Sequence, residues 1–279
     1  MNLIFGPAGN EEFFYRSGFR STLDSARYIS KMGLYAFEYP LTHGIRLKEQ
    51  TAIKIGESFK KEGIKLSIHA PYYINTASCN PDILKKSEEY LLKTIQFGNL
   101  MNADRIVFHL GSSKGEERRL LLERSKNFLK KLILNNLKLI NNIKLCPETH
   151  GKKLSLGSID EVIEICETNP DVLLPALDFA HLYAVNRGGF THESNFTEIF
   201  KKLRSYREFH IHFSQIEFNN KGEIRHRSLN EGFGPPIEPF LLSLIKNSIK
   251  GRVIVETPGT QAKDAKILLE RFLELEAKR

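Results

Sequence analysis

The stretch Lys65-Leu66-Ser67-Ile68-His69-Ala70-Pro71 decides the fold of this chain. Polar and apolar residues alternate in it and a proline follows, so it predicts a short buried strand that ends in a histidine. Comparable strand-like runs recur along the sequence, and most end at or near a histidine or an acidic residue. These end positions are His109, Glu148, Asp178 with His181, His210 and His212, and Glu256. If the strands lie parallel in one closed sheet, the side chains at their ends meet at one rim.

The elements follow one another in a regular order. Strand-like runs alternate with amphipathic helical segments roughly eight times, without a break in composition. The predicted strands are 2–7, 35–40, 65–69, 105–109, 144–148, 171–178, 208–214 and 252–257. The predicted helices are 21–32, 47–62, 81–100, 115–139, 158–168, 192–206, 237–247 and a last one to 277, with a long loop at 215–236. This order predicts an α/β protein, a single (β/α)8 TIM barrel that forms one domain over residues 1–279.

Composition limits the classes of function. The formal net charge of +8 favours an anionic substrate or nucleic acid, although solubility alone is the alternative because no long basic run occurs. Cys79, Cys146 and Cys166 form no CxxC pair, so a disulfide framework and a thiolate zinc site are not indicated, and a reducing cytoplasm is expected. No stretch approaches about 18 apolar residues, and we expect no membrane insertion. No dinucleotide fingerprint or P-loop follows a predicted strand.

The groups at the strand ends predict a metal centre. One histidine at a strand end is more often structural than a ligand, but here the third to the eighth strand each supply a histidine, glutamate or aspartate. A nitrogen and oxygen set without thiolates suits zinc, manganese or iron. Unpaired buried carboxylates would cost several kcal/mol each, so their convergence favours cations between them over a metal-free hydrogen-bond network. Two bridged ions and a basic exterior suit phosphodiester cleavage.

Six short motifs occur in a characteristic order. They are His69-Ala70-Pro71-Tyr72, Val107-Phe108-His109, Glu148-Thr149, Asp178-Phe179-Ala180-His181, Ser228-Leu229-Asn230-Glu231-Gly232 and Val255-Glu256-Thr257-Pro258. In these motifs the chain resembles the endonuclease IV family, also called AP endonuclease family 2, of the xylose isomerase-like TIM barrel superfamily. The resemblance covers most of the chain and implies a trinuclear zinc enzyme that acts on DNA.

The resemblance also implies a ligand set. The first zinc would be held by His69 and His109, with Glu148 bridging to a second zinc. The second zinc would also be bound by Asp178, His212 and Glu256, and the third by His181 and His226. At the aspartate of the family's Asp-x-His pattern this chain has Ile224, and the adjacent Glu223 is the substitute. His210 shares a strand face with His212 and is the alternative ligand of the second zinc.

The implied reaction is incision of the DNA backbone 5′ to an abasic site, which leaves a 3′ hydroxyl. Glu148 and Glu256 would position or deprotonate the attacking hydroxide. Tyr72 or Tyr73 would enter the DNA beside the lesion, unless these rings pack under their loop. Three arginines are candidate phosphate contacts or solvated surface groups, namely Arg187, Arg225 and Arg227. The expected partner is double-stranded DNA with abasic sites, and the protein is expected to be a monomer.

Two other functions remain open at the sequence level. A sugar or sugar-phosphate isomerase or epimerase uses the same scaffold and a similar carboxylate and histidine rim. The number of ligands favours the nuclease, because such isomerases need one or two ions, whereas Ile224 favours the isomerase. An inactive nucleic-acid-binding barrel would bind DNA in a salt-sensitive manner without turnover.

Overall fold

Eight parallel strands form the centre of the protein. The computed structural model describes residues 2–112 and 115–278, so the outer ends of the predicted 1–279 domain lie outside the described residues. The strands are β1 Leu3–Pro7, β2 Ala36–Pro40, β3 Lys65–His69, β4 Arg105–Phe108, β5 Lys144–Pro147, β6 Ala176–Asp178, β7 Phe209–Phe213, β8 Gln215–Asn219, β9 Gly222–Arg227 and β10 Gly251–Val255. All except β8 and β9 belong to the barrel.

The barrel strands pair in two parallel sheets. One has the order β2-β3-β4-β5 and the other has the order β1-β10-β7-β6. Isolated parallel bridges from Ala8 to Glu38 and from Glu148 to Ala176 join the two sheets. The eight strands therefore close on themselves, and the predicted TIM barrel is confirmed.

Helices follow the strands on the outside of the barrel. They are α1 Glu12–Arg16, α2 Ser25–Ser30, α3 Glu49–Lys61, α4 Pro81–Leu100, α5 Arg118–Asn135, α6 Leu137–Ile140, α7 Ile159–Cys166, α8 Phe179–Val185, α9 Glu193–Lys202, α10 Ile237–Lys246 and α11 Gln261–Ala277, with a 3-10 turn at Thr22–Asp24. Local sequence explains several starts. The Asn80 side chain accepts from the first amides of α4, and Ser158 with Glu161 forms the predicted capping box of α7.

Three predicted elements differ in the structure. The strand predicted over 171–178 is formed only by Ala176–Asp178. The helix predicted over 115–139 is two helices, because the chain leaves helical geometry at Asn136. The loop predicted over 215–236 contains an antiparallel hairpin of β8 and β9. That prediction was wrong because the hairpin is short and largely polar. It lacks the apolar run that marks the barrel strands, and only Ile216 and a few neighbours are buried.

The apolar core lies mainly between the barrel and its helices. A phenylalanine group at the α8–α10 side includes Phe179, Phe196 and Phe240, all fully buried, with Phe213 stacked on Phe240 at 4.2 Å. A separate cluster of Val107, Cys146, Leu174 and Ala176 lies on the inward-facing positions of β4, β5 and the segment ending in β6. Within the described residues, no helix has the length and apolar character needed to cross a bilayer.

Removing Phe196 tests the assigned core. The Phe196→Ala change should lower the free energy of unfolding by about 3–5 kcal/mol, because the ring is fully buried among three other aromatic rings. The matched control is Phe13→Ala, whose ring is 64% exposed and should contribute within about 0.5 kcal/mol. Urea unfolding followed by circular dichroism measures both. Similar midpoints for the two variants would contradict the assigned core.

Candidate metal centre

Glu148 lies at the centre of the rim, just after β5, and its side chain is fully buried. Its Oε2 atom is 2.8 Å from His109 Nε2 and 3.2 Å from His69 Nε2. Its Oε1 atom is 3.0 Å from His212 Nδ1. Each oxygen thus faces a different set of imidazole nitrogens. This arrangement suits a carboxylate that bridges two cations.

The ring of His69 is oriented by the backbone. Its Nδ1 lies 2.9 Å from the carbonyl oxygen of Ala70, which can only accept, so Nδ1 carries the proton. Nε2, which faces Glu148, is then the nitrogen that can bind a metal ion once it has lost its proton. Together His69, His109 and Glu148 bring three possible ligand atoms within 4.8 Å of one another. Such a second hydrogen bond on the ring is typical of metal-binding histidines.

A second group consists of Glu148, Asp178, His212 and Glu256, whose ligand atoms also lie within 4.8 Å of one another. Asp178 ends β6 and caps α8, since its Oδ1 accepts the amide of His181 at 2.8 Å. Its Oδ2 is buried and has no hydrogen-bond partner among the described residues. Three carboxylates around one imidazole leave negative charge uncompensated, and this is the environment that a divalent cation fits.

A third group consists of Asp178, His181 and His226. The Nδ1 atom of His181 donates to the carbonyl oxygen of Thr149 at 2.9 Å, and its Nε2 lies 3.3 Å from Glu223 Oε2. His226 Nδ1 is 2.7 Å from the hydroxyl of Ser214, so its Nε2 is left for the site. The first and second groups share Glu148, and the second and third groups share Asp178. The three groups therefore form one continuous centre.

A β-bulge brings Glu223 into this third group. The register of the hairpin shifts between Glu217 and Phe218, where Arg225 pairs with Glu217 and Glu223 pairs with Phe218. Ile224 is therefore the extra residue of the bulge, and its side chain is 49% exposed. Because the bulge interrupts the two-residue alternation, Glu223 lies on the side of His226 although three positions separate them. The bulge thus brings the Glu223 carboxylate next to His181.

Three further side chains lie near the centre. Glu38 and His150 were not predicted from the sequence, and His210 was predicted only as the alternative to His212. Glu38 on β2 is fully buried and lies 3.0 Å from both His210 and His212. His210 contacts Glu38 and His212, one step deeper than the rim, and burial lowers its pKa to about 3, so the ring is neutral. The ring of His150 is 4.7 Å from that of His109, and burial with the charge of His109 lowers its pKa to about 3.

Sequence signals for these residues were weak. Glu38 shares a strand face with the buried Ala36, but it stands inside its strand and not at the end. His150 follows Glu148 by two residues in the loop after β5. Neither residue lies at the end of a strand, so the strand-end pattern does not predict them.

The residues predicted to contact DNA lie around the rim. The Tyr72 ring stacks on His109 at 5.4 Å and is 54% exposed, and Tyr73 is exposed beside Tyr90. Arg187 is exposed next to the end of α8. Arg225 lies 2.9 Å from Glu217, and Arg227 contacts Glu217 and Glu231 and covers the ring of Phe233.

The charges of the centre are mutually dependent. Burial alone would raise the pKa of Glu148, but the charges of His109 and His212 hold it well below its usual range. Burial opposes the charged form of His69, yet the hydrogen bond and charge of Glu148 raise its pKa to about 9. Acidic neighbours also outweigh burial at His181 and His212 and raise their pKa values well above 6.5. In the metal-free protein, protons occupy the nitrogens that cations would bind.

Comparison with known proteins gives the family. A model of the xylose isomerase-like TIM barrel matches residues 26–275. The chain belongs to this family. An uncharacterized protein of Methanocaldococcus jannaschii is 33% identical to this chain, and the similarity covers 98% of each of the two proteins. A probable endonuclease 4 of a Sulfurihydrogenibium species is 28% identical over 69% of this chain and 71% of that protein. The resemblance to endonuclease IV found in the sequence is confirmed.

Solved structures share the fold of this xylose isomerase-like barrel. A D-tagatose 3-epimerase-like protein has a TM-score of 0.73 and 18% identity, over 100% of this chain and 99% of its own. Endonuclease IV from Thermus thermophilus has a TM-score of 0.71 and 16% identity, over 99% of this chain and 100% of its own. The near-equal scores show that the fold does not separate a nuclease from an epimerase, so the site residues must do so.

Zinc binding should release protons and become tighter as the pH rises. The raised pKa values keep His69, His181 and His212 protonated at pH 7 in the metal-free protein, whereas zinc binds only the neutral ring. Raising the pH removes the competing protons, so affinity should increase at least until the pH passes the pKa of His69, about 9. Calorimetric titration with Zn²⁺ in two buffers of different ionisation enthalpy measures the released protons. Binding at pH 7 without proton release would contradict this expectation.

The bulge at Ile224 makes a separate prediction. Glu223→Ala should remove one equivalent of tightly bound zinc, because the carboxylate lies 3.3 Å from His181 Nε2. Ile224→Ala, one position further along the strand, is the matched control and should leave the zinc content unchanged. Elemental analysis of the purified variants gives the metal content. If both variants hold the same amount of zinc, the bulge does not supply a ligand.

Proposed function

We propose that this protein is a zinc-dependent apurinic/apyrimidinic endonuclease that cuts the DNA backbone 5′ to abasic sites during base excision repair. The observation that supports this best is the third ligand group of Asp178, His181 and His226, which has Glu223 beside it and extends the centre beyond two cations. An isomerase needs one or two ions, so the third group would have no role in it. Manganese or iron are the alternatives to zinc for these nitrogen and oxygen ligands.

The charge balance supports three cations. The carboxylates in the centre and directly beneath it are those of Glu38, Glu148, Asp178, Glu223 and Glu256. With one bound hydroxide they carry six negative charges, which three divalent ions neutralise when the histidines are neutral ligands. With fewer cations, protons must remain on the histidines, and these block the nitrogens. The buried position of Glu38, Glu148 and Asp178 makes such neutralisation necessary.

The residues of the chain have distinct roles in the proposed cleavage. Zinc held by these residues would lower the pKa of a bound water and would offset negative charge on the phosphate. Glu148 holds the first and second ligand groups in register, because one of its oxygens faces each. Glu256 is the more accessible of the two proposed catalytic carboxylates, with 19% of its side chain exposed, and it accepts or directs the proton of the nucleophile. His181 and His226 would hold the third cation, which would stabilise the charge that develops during cleavage.

Two cavities flank Tyr72 and suit a distorted DNA substrate. One of about 390 Å³ contains His69 and Glu256 together with the polar side chains of Asn10 and Gln261. The other, of about 510 Å³, is lined by aromatic residues that include Tyr73 and Tyr90. An abasic nucleotide lacks stacking and is the cheapest kind to turn out of a duplex. In the proposal the sugar enters the polar cavity, and Tyr72 fills the space that it leaves.

The positive charge of the chain supports binding of the DNA backbone. Arg187 is the strongest of the proposed phosphate contacts, since it is exposed and forms no ion pair among the described residues. Arg225 and Arg227 already contact Glu217, so a phosphate would compete with that carboxylate. We further propose that the protein acts as a monomer with one domain over residues 1–279 in the cytoplasm.

A sugar or sugar-phosphate epimerase is the second candidate. The group of Glu148, Asp178, His212 and Glu256 suffices for one ion, and the polar cavity of about 390 Å³ has room for a sugar. The fold is as similar to an epimerase-like protein as to endonuclease IV. This candidate leaves the third ligand group without a role.

Incubation of the zinc-loaded protein with a duplex that contains one synthetic abasic site tests the proposal. We expect a single nick 5′ to the site, which chelation abolishes. Glu148→Gln should slow nicking on the order of a thousandfold, because it removes the bridging charge. Glu274→Gln, at an exposed position of α11, is the matched control and should cut at the normal rate.

The alternatives give different results in the same assay. An intact duplex with turnover of ketoses would favour the epimerase. Salt-sensitive binding of the duplex without any cleavage would favour a nucleic-acid-binding protein that has lost catalysis. Either result would contradict the endonuclease proposal.

A further inference from the structure

Glu38, His210 and Ser67 form a buried layer directly beneath the metal centre. Glu38 Oε2 accepts the hydroxyl of Ser67 at 2.8 Å and lies 3.0 Å from His210 Nε2. Its Oε1 lies 3.0 Å from His212 Nε2. All four side chains are completely buried. Neither Glu38 nor His210 has a role in the proposed cleavage, so this layer requires an explanation of its own.

His212 connects this layer to the centre above it. Its Nδ1 faces Glu148 Oε1 at 3.0 Å and Glu256 Oε2 at 3.5 Å, and its Nε2 faces Glu38. A neutral imidazole carries one proton, and only the other nitrogen can bind a cation. His212 serves the second ligand group only if the proton is on Nε2. Without an acceptor below the ring, the tautomer with the proton on Nδ1 would compete.

Glu38 supplies that acceptor. Its Oε1 is buried and has no aligned hydrogen bond among the described residues, although His212 Nε2 is within 3.0 Å. The Nε2 atom of His212 is also 3.1 Å from His210 Nε2. His210 Nε2 is itself 3.0 Å from Glu38 Oε2, and a charged carboxylate oxygen is a better acceptor for either ring than an imidazole nitrogen. A small rotation of the His212 ring would align this bond and give the carboxylate a donor on each oxygen.

We propose that Glu38 is a positioning residue that holds His212 as its Nε2–H tautomer and thereby directs Nδ1 to the cation of the second ligand group. His210 and Ser67 hold the Glu38 carboxylate in turn. Carboxylates behind a metal-binding histidine fix its orientation and raise its basicity. This inference rests on the metal centre of the proposed function but not on its DNA substrate.

Metal titration of the stripped, refolded protein tests the role of Glu38. In Glu38→Gln, an amide replaces the charged acceptor, and one zinc site should weaken about ten- to a hundredfold while the other sites keep their affinity. His210→Gln is the comparison, since it removes a donor to Glu38 and leaves the contact between Glu38 and His212. It should weaken zinc binding less than about threefold. Competition with a chromophoric chelator measures each affinity, and Co²⁺ absorption reports the coordination that changes.

The possible failures are distinguishable. If the unchanged protein binds no zinc, the metal centre itself is wrong. If it binds zinc and Glu38→Gln binds equally well, only the role of Glu38 is wrong. The unchanged protein could also bind four zinc equivalents, with the fourth lost in both Glu38→Gln and His210→Gln. This result would show that the buried layer holds a cation directly, and it would overturn the proposal.

A measurement on the unchanged protein covers the case in which Glu38→Gln does not fold. Histidine-selective ¹⁵N labelling of the zinc-loaded protein identifies the protonated ring nitrogen of each histidine. We expect the His212 proton on Nε2, with slow exchange because the ring is completely buried. A proton on Nδ1 would contradict the proposal.

Discussion

Burial of the Glu148 carboxylate is the interaction that the rest of the site must satisfy. A charge removed from water is stable only when cations or strong donors surround it. Here the imidazoles of His69 on β3, His109 after β4, His181 on α8 and His212 on β7 approach it from different sides. These groups are far apart in the chain and meet only because the barrel is closed. The side chains of the centre therefore come together only when the barrel folds.

The floor of the barrel strengthens this effect. Val107, Cys146, Leu174 and Ala176 form an apolar cluster under the polar layer, and water has little access there. Electrostatic interactions are stronger in such surroundings than at an open surface. The same surroundings make any unpaired group more expensive. This explains why the carboxylate of Glu38, which lies between the apolar floor and the rim, is held by three polar side chains.

Much of the fold and rim followed from simple periodicities. Strands that end in His69 or Asp178 were recognisable because the alternation stops where the functional side chain begins. The residues that sequence missed depend on three-dimensional detail. Glu38 lies within a strand, and its proximity to His212 depends on the relative height of strands β2 and β7 in the barrel. The sequence does not give that height. Glu223 was predicted only as the substitute for an aspartate at Ile224, because the bulge that brings its carboxylate next to His181 leaves no signal in hydrophobic patterning.

The closure of the barrel has a mechanical consequence. The two sheets meet at seams of isolated bridges, and these bridges involve Glu38 on one side and Glu148 on the other. The candidate ligands His69, His109 and Glu148 belong to one half-barrel, whereas Asp178, His212 and Glu256 belong to the other. Bound cations would link side chains of the two half-barrels. The ions of the proposed reaction would therefore also stabilise the contact between the two sheets.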